Sequence, residues 1–192
     1  MKAIFVLFLT ATLVLGHNQT NYAPKQLFRE IERISNKKNP QFSKLDILNG
    51  SQNPFRGGIY YTIENSLPAK YAYIGRVLTC RAEGCSIRND KNSESVSEFF
   101  DYFILYDSDA SVLSVQIYNY EATHGHEITV RRWLKQFVDF DGTNELIVGK
   151  NVDAIAGATI SVHSITDDIT LRTTELKSYL ANQDRFILRH PG

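Results

Sequence analysis

The strongest constraint this chain places on its own fold is an uninterrupted segment near its end. No Pro or Gly breaks the run from Thr159 to Gln183, and Val162, Ile165, Ile169, Leu176 and Leu180 recur through it at helical steps. That spacing predicts one long amphipathic α-helix. Asp167, Asp168, Arg172, Thr173, Glu175 and Lys177 fall to the opposite face, where solvent is expected. The acids come early and Arg172 and Lys177 late, as the helix macrodipole prefers. Directly ahead stands Asp153-Ala154-Ile155-Ala156-Gly157-Ala158-Thr159-Ile160-Ser161. Ala156, Gly157 and Ala158 have almost no side-chain bulk, and Gly157 accepts positive φ readily. A helix start exposes unpaired N–H groups and the positive end of the dipole, and so attracts phosphate. Thr159 puts a hydroxyl at that point. Two readings follow: Thr159 caps its own helix, or it holds a phosphorylated ligand.

The residues upstream predict strands. Phe99 to Tyr106 is aromatic and branched, Asp107-Ser108-Asp109-Ala110 is a turn signal, and Val112 to Tyr120 returns with Val112, Val115, Ile117 and Tyr118 in a β-favouring context. Together they form a hairpin. Glu127 to Phe137 can form a helix, with Val130, Leu134 and Phe137 on one face.

With these elements in place, the Asp153–Ser161 stretch resembles the FMN-binding domain family. These are periplasmic covalent flavoproteins related to the flavin-carrying components of the sodium-pumping NADH:quinone oxidoreductase and of Rnf complexes. Their motif reads roughly Asp-x-x-Ser-Gly-Ala-Thr-x-Ser/Thr. In them a separate flavin transferase esterifies the motif threonine to the phosphate of FMN. The resemblance covers roughly residues 70 to 183. It implies an α+β fold of the FMN-binding domain type, an antiparallel sheet with packed helices. It also implies FMN joined covalently to Thr159, with Asp153, Gly157, Ala158 and Ser161 as the matching motif positions. The chain departs from the pattern at Ala156, where the family usually has Ser. By the residues alone, a turn or capping role suits Asp153 as well.

His124-Gly125-His126-Glu127 admits three readings. It is a hairpin-to-helix loop with Gly125 at the turn. It is a contact to the flavin ring through His124 or His126, as the family's loop position implies. Or it is part of a metal site, which would need a third ligand such as Glu127 or His163.

The N-terminus resembles a secretory signal. Met1-Lys2 is followed by the apolar run Ala3–Leu15 and the small residue Gly16. Such a run is shorter than the ~20 residues of a membrane span. Residues 1–16 are therefore expected to be cleaved and the protein exported, to a periplasm or other extracytoplasmic face. Cys80 and Cys85 fit an oxidising compartment as a disulfide closing a small loop, though a short loop also suits redox-active exchange. Haem attachment would need Cys-x-x-Cys-His, which is absent.

The remaining chain suits one compact unit, read as an N-terminal helix and strands over 17–69 and the FMN-binding domain over 70–192. Pro24 to Ser35 predicts a helix, and Phe42–Leu48 and Ile59–Ile63 predict strands, with Tyr60, Tyr61, Tyr71 and Tyr73 covering a sheet face. Asn89 to Ser97 reads as a polar loop. Lysine plus arginine equal aspartate plus glutamate at 21 each, which leaves no basic excess for nucleic acid. The function implied is electron transfer. The partners implied are the maturation transferase and a redox donor and acceptor associated with a membrane. The alternative is a secreted binding module of the same fold without flavin.

Overall fold

In the computed structural model of the protein, the described residues are 19–47, 58–79 and 98–189, with side chains as far as residue 183. Five strands lie side by side in sequence order: β1 (Phe42–Leu45), β2 (Gly58–Ile63), β3 (Tyr71–Leu78), β4 (Phe99–Tyr106) and β5 (Val112–Glu121). Every pairing is antiparallel. Helix α1 (Lys25–Ser35) packs on one face and α3 (Thr159–Arg189) on the other. The coarse class expected from the sequence, α+β with an antiparallel sheet and packed helices, is the one the chain adopts. The proposed signal at 1–16, Cys80, Cys85 and the polar loop 89–97 lie outside the described residues. Among those described, no helix is long and apolar enough to cross a membrane.

The central strand explains its own composition. All eight residues of β4 are buried, because a helix covers each face. Phe100, Tyr102, Ile104 and Tyr106 face α3, whereas Phe103 and Leu105 face α1. Alternation along β2 likewise splits the tyrosines that the sequence assigned to one face. Tyr60 and Tyr73 join the α3 side and Tyr61 the α1 side. The hairpin turn is as expected: the Asp107 carboxylate accepts the N–H groups of Asp109 (2.9 Å) and Ser111 (2.8 Å). A register shift follows in β5, where Ile117 pairs with Tyr102 but Asn119 pairs with Asp101, leaving Tyr118 as the extra residue. The bulge puts Ile117 and Tyr120, three positions apart, on the same α3 side. Tyr120 thereby reaches the start of α3.

Two further expectations need correction. The run 127–137 is not one helix. It is a 3₁₀ turn at His126–Thr129, a single α-turn α2 (Arg131–Leu134) and a second 3₁₀ turn at Lys135–Phe137. Val130 takes extended φ/ψ (−68°, 121°) between the first two and is exposed, while Leu134 and Phe137 are buried. Its carbonyl accepts the N–H groups of Trp133 and Leu134, so it serves as a cap.

The polar face assigned to α3 is also not all in solvent: Asp168, Arg172 and Thr173 are at most 1% exposed. Arg172 shares the stripe of Ile165, Ile169 and Leu176, and the sheet beneath it offers tyrosine hydroxyls instead of methyl groups. Tyr102 Oη donates to Asp168 Oδ2 (2.6 Å), and an Arg172 nitrogen lies 3.2 Å from Asp168 Oδ1. Tyr60 Oη donates to Glu175 Oε2 (2.7 Å), which also accepts from Arg172 (2.9 Å). Burial, with the negative charge of Asp168 added, pushes the Tyr102 hydroxyl far above its usual range, so it stays a donor.

A second polar cluster ties α1 down. Glu30, 3% exposed, accepts from Arg33, from Arg131 of α2 and from Ser114 of β5. Burial alone would raise its carboxyl, but the Arg33 and Ser114 hydrogen bonds and the Arg131 charge hold it down at about 2. The unfolded chain therefore takes up a proton that the folded one refuses. This stabilisation is complete above about pH 4.5 and is lost as pH falls toward 2. Both arginines are half exposed and screened, so the loss should be about 2 kcal/mol. Denaturant titrations of wild type and Glu30→Gln between pH 5 and pH 2 measure it. Parallel pH profiles would contradict the assignment.

Candidate functional site

The site is built where β3, β4, the β5–α2 loop and the start of α3 converge. A cleft of about 330 Å³ is lined by Thr79, Glu98, His124, Gly157, Ala158, Thr159, Ile160 and Ser161. This is the small end of the ~300–1,000 Å³ usual for ligand clefts. The structure thus brings together five of the residues singled out by the sequence: His124, Gly157, Ala158, Thr159 and Ser161.

The helix start is open. Ala158, not Thr159, holds the cap position: its carbonyl accepts the Val162 N–H at 2.9 Å, and Thr159 is the first helical residue. Of the two readings of Thr159, the helix cap is therefore not the one its position supports. Alanine is among the poorest caps because it has no side-chain acceptor for the N–H groups of the first turn. Gly157 has φ +82° with nothing within 4 Å of a built Cβ, so the approach to the backbone is unobstructed. Thr159 is exposed, and no hydrogen bond to its side chain occurs among the described residues.

Opposite lies Thr79, which the sequence did not single out. It is 4% exposed, and its Oγ1 has no hydrogen-bond partner among the described residues. A buried hydroxyl left unpaired costs about 1–3 kcal/mol. It lines the cleft with its hydrogen-bonding capacity unused among the described residues. Nothing in the local sequence marks it; only the pairing of β3 with β4 brings it here.

The histidine loop is fastened to α3 through Tyr120. Tyr120 Oη donates to the His124 carbonyl (2.6 Å) and lies 3.0 Å from Ser161 Oγ. With the tyrosine proton spent on His124, Ser161 must donate to Tyr120. Ser161, 3% exposed, is thus a lock between loop and helix as much as a lining residue. Burial raises the Tyr120 hydroxyl from its usual range, and the Ser161 bond partly offsets this. Gly125 sits inside the lock with φ +87°, and a Cβ there would meet Ser161 Oγ and Tyr120 Oη at 2.9 Å. Gly125→Ala should cost about 2–4 kcal/mol, from left-handed backbone strain and overpacking together. Thermal melts measure it, and an unchanged midpoint would contradict this packing.

On the outer side of His124, Thr123 Oγ1 and N–H both donate to Glu98 Oε1, and Thr123 Oγ1 lies 2.9 Å from His124 Nδ1. Two sequence candidates lie apart from the cleft lining. The ring of His126 stands edge-on to Tyr120, centroids 5.4 Å apart. The Asp153 backbone is held by Trp133 Nε1 (2.9 Å) and the Gln136 side chain (2.7 Å), and its carboxylate is exposed. Among the described residues, no three of His, Cys, Asp and Glu are grouped to hold a metal ion.

A larger cleft of about 670 Å³ surrounds Glu30, Arg33 and Arg131, but the Glu30 carboxylate there is already saturated by the two arginines and Ser114. Another, of about 510 Å³, borders α3 at Leu171, Glu175 and Tyr179 and contains none of the motif residues. Comparison of the chain with family models, curated proteins and solved structures returns no match.

Proposed function

We propose that this chain is an exported electron carrier that holds FMN through a phosphoester to Thr159 Oγ1. One observation carries the reading. An exposed threonine stands at a helix start for which the described residues supply no side-chain cap, in the lining of a cleft that also holds the buried Thr79 Oγ1, unpartnered among the described residues. The residues fit the group. The first N–H groups of α3, on Thr159, Ile160 and Ser161, would hold phosphate oxygens. Gly157 and Ala158 allow close approach, and Thr79 can donate to an oxygen or ring acceptor. His124 and Ser161 border the same space. When bound, the flavin supplies exchange of one or two electrons; the protein binds, orients and tunes it. Covalent attachment suits an exported protein, from which a dissociable cofactor would be diluted away.

A specific observation favours a second reading. Glu98 lines the same cleft, and a carboxylate there repels phosphate. Ala156 also stands where the family usually has Ser. Both favour a secreted binding module of this fold without flavin. Co-expression of the full chain with a flavin transferase decides between them. Fluorescence of the denatured protein in a gel is expected under the first reading. If no denaturation-resistant flavin forms, the second stands.

A further inference from the structure

We propose that His124 is the proton-exchanging group of the cleft, with Thr123 and Glu98 as its positioning residues. The inference rests on the flavin reading for its ligand, but its geometry belongs to the chain alone. Thr123 Oγ1 donates its only proton to the Glu98 carboxylate, so toward His124 Nδ1 it can only accept. The neutral imidazole therefore carries its proton on Nδ1 and keeps Nε2 bare. His124 lines the cleft beside Thr159, and its backbone is fixed by the Tyr120 hydroxyl. Glu98 is anchored a second time by the Thr123 N–H, which fixes the acceptor that orients the Thr123 hydroxyl.

A flavin bound here would take up two electrons, from a reduced electron-carrier partner or from dithionite in the test, together with one proton. His124 Nε2, bare in the resting tautomer, would first take a proton from solvent, would pass it to the reduced group and would then be bare again. The Nδ1 proton and the Thr123 proton stay where they are.

The first test needs no flavin. In the full chain labelled with ¹⁵N-histidine, long-range ¹H–¹⁵N correlation spectra above the histidine titration should show His124 as the Nδ1–H tautomer. Thr123→Val should shift it toward the Nε2–H form that free imidazole prefers. An Nε2–H His124 in the unsubstituted chain overturns the relay, whatever the flavin result. The second test uses FMN-loaded protein and stopped-flow reduction by dithionite. His124→Ala should slow reduction about tenfold, at the low end for general acid catalysis because water can substitute. Added imidazole should restore the rate, which it would not do for a merely structural histidine. An unchanged rate, or a slow rate that imidazole does not restore, overturns proton delivery. If the chain takes no flavin, proton delivery is overturned together with the flavin reading, while the tautomer result still decides whether Thr123 and Glu98 orient His124.

Discussion

Asp168→Ala is expected to destabilise the protein by about 3–5 kcal/mol, the cost of breaking a buried ion pair from one side. The carboxylate is completely buried and is held by Tyr102 Oη at 2.6 Å and Arg172 at 3.2 Å. Removing it takes away the acceptor of the Tyr102 hydroxyl and one carboxylate of Arg172, whose guanidinium keeps Glu175 at 2.9 Å. Burial works against the Arg172 charge, and Asp168 is the first group that offsets this. A domain of this size has about 5–15 kcal/mol in total, so the melting point should fall by roughly 6–20 °C. Tyr102→Phe removes only the hydroxyl and should cost less, about 1–3 kcal/mol. Thermal or denaturant unfolding of the three proteins measures both. A loss under about 1 kcal/mol for Asp168→Ala would mean that water or Glu175 takes over the carboxylate's role.

That cluster also shows where the sequence was legible and where it was not. The β4–β5 hairpin could be read to within a residue or so, because its apolar runs are bounded by the Asp107–Ala110 turn. The start of α3 could be read from Gly157 and the periodic residues after it. The burial of Asp168, Arg172 and Thr173 could not be read from polarity. It depends on Tyr60, Tyr73, Tyr102 and Tyr106 all facing α3, a matter of strand phase. One sign was present: Arg172 lies on the same helical stripe as Ile165, Ile169 and Leu176. The 127–137 segment fails for a different reason. Its helical spacing is real, but Val130 is needed as a cap in extended conformation, so the apolar triplet is split. In the cleft, the residues contiguous in the motif were legible. Thr79, Glu98 and Tyr120 were not, since strand pairing and the Tyr118 bulge bring them in from distant parts of the chain.

Thr159→Ala is expected to abolish covalent flavin entirely while leaving the fold intact. The contrast between the two effects makes the variant informative. Thr159 is exposed, it occupies the first helical position behind the Ala158 cap, and its hydroxyl supports no contact among the described residues. Alanine is at least as good a helix former there. The stability change should therefore stay within about 0.5 kcal/mol, as for other surface substitutions, and below what loss of a true cap would cost. Thr159→Ser keeps a nucleophilic oxygen in the same place and should retain part of the label. Ser161 cannot stand in, because it is buried and its proton is committed to Tyr120. Thr159→Ala, co-expressed with the transferase, should thus be folded, exported and colourless. Its melting curve and its denaturing-gel fluorescence give the two readings separately. Fluorescence that survives denaturation in Thr159→Ala would place the ester on another hydroxyl and remove Thr159 from the site. Loss of both fold and fluorescence would show that Thr159 carries structural weight that its surroundings do not account for.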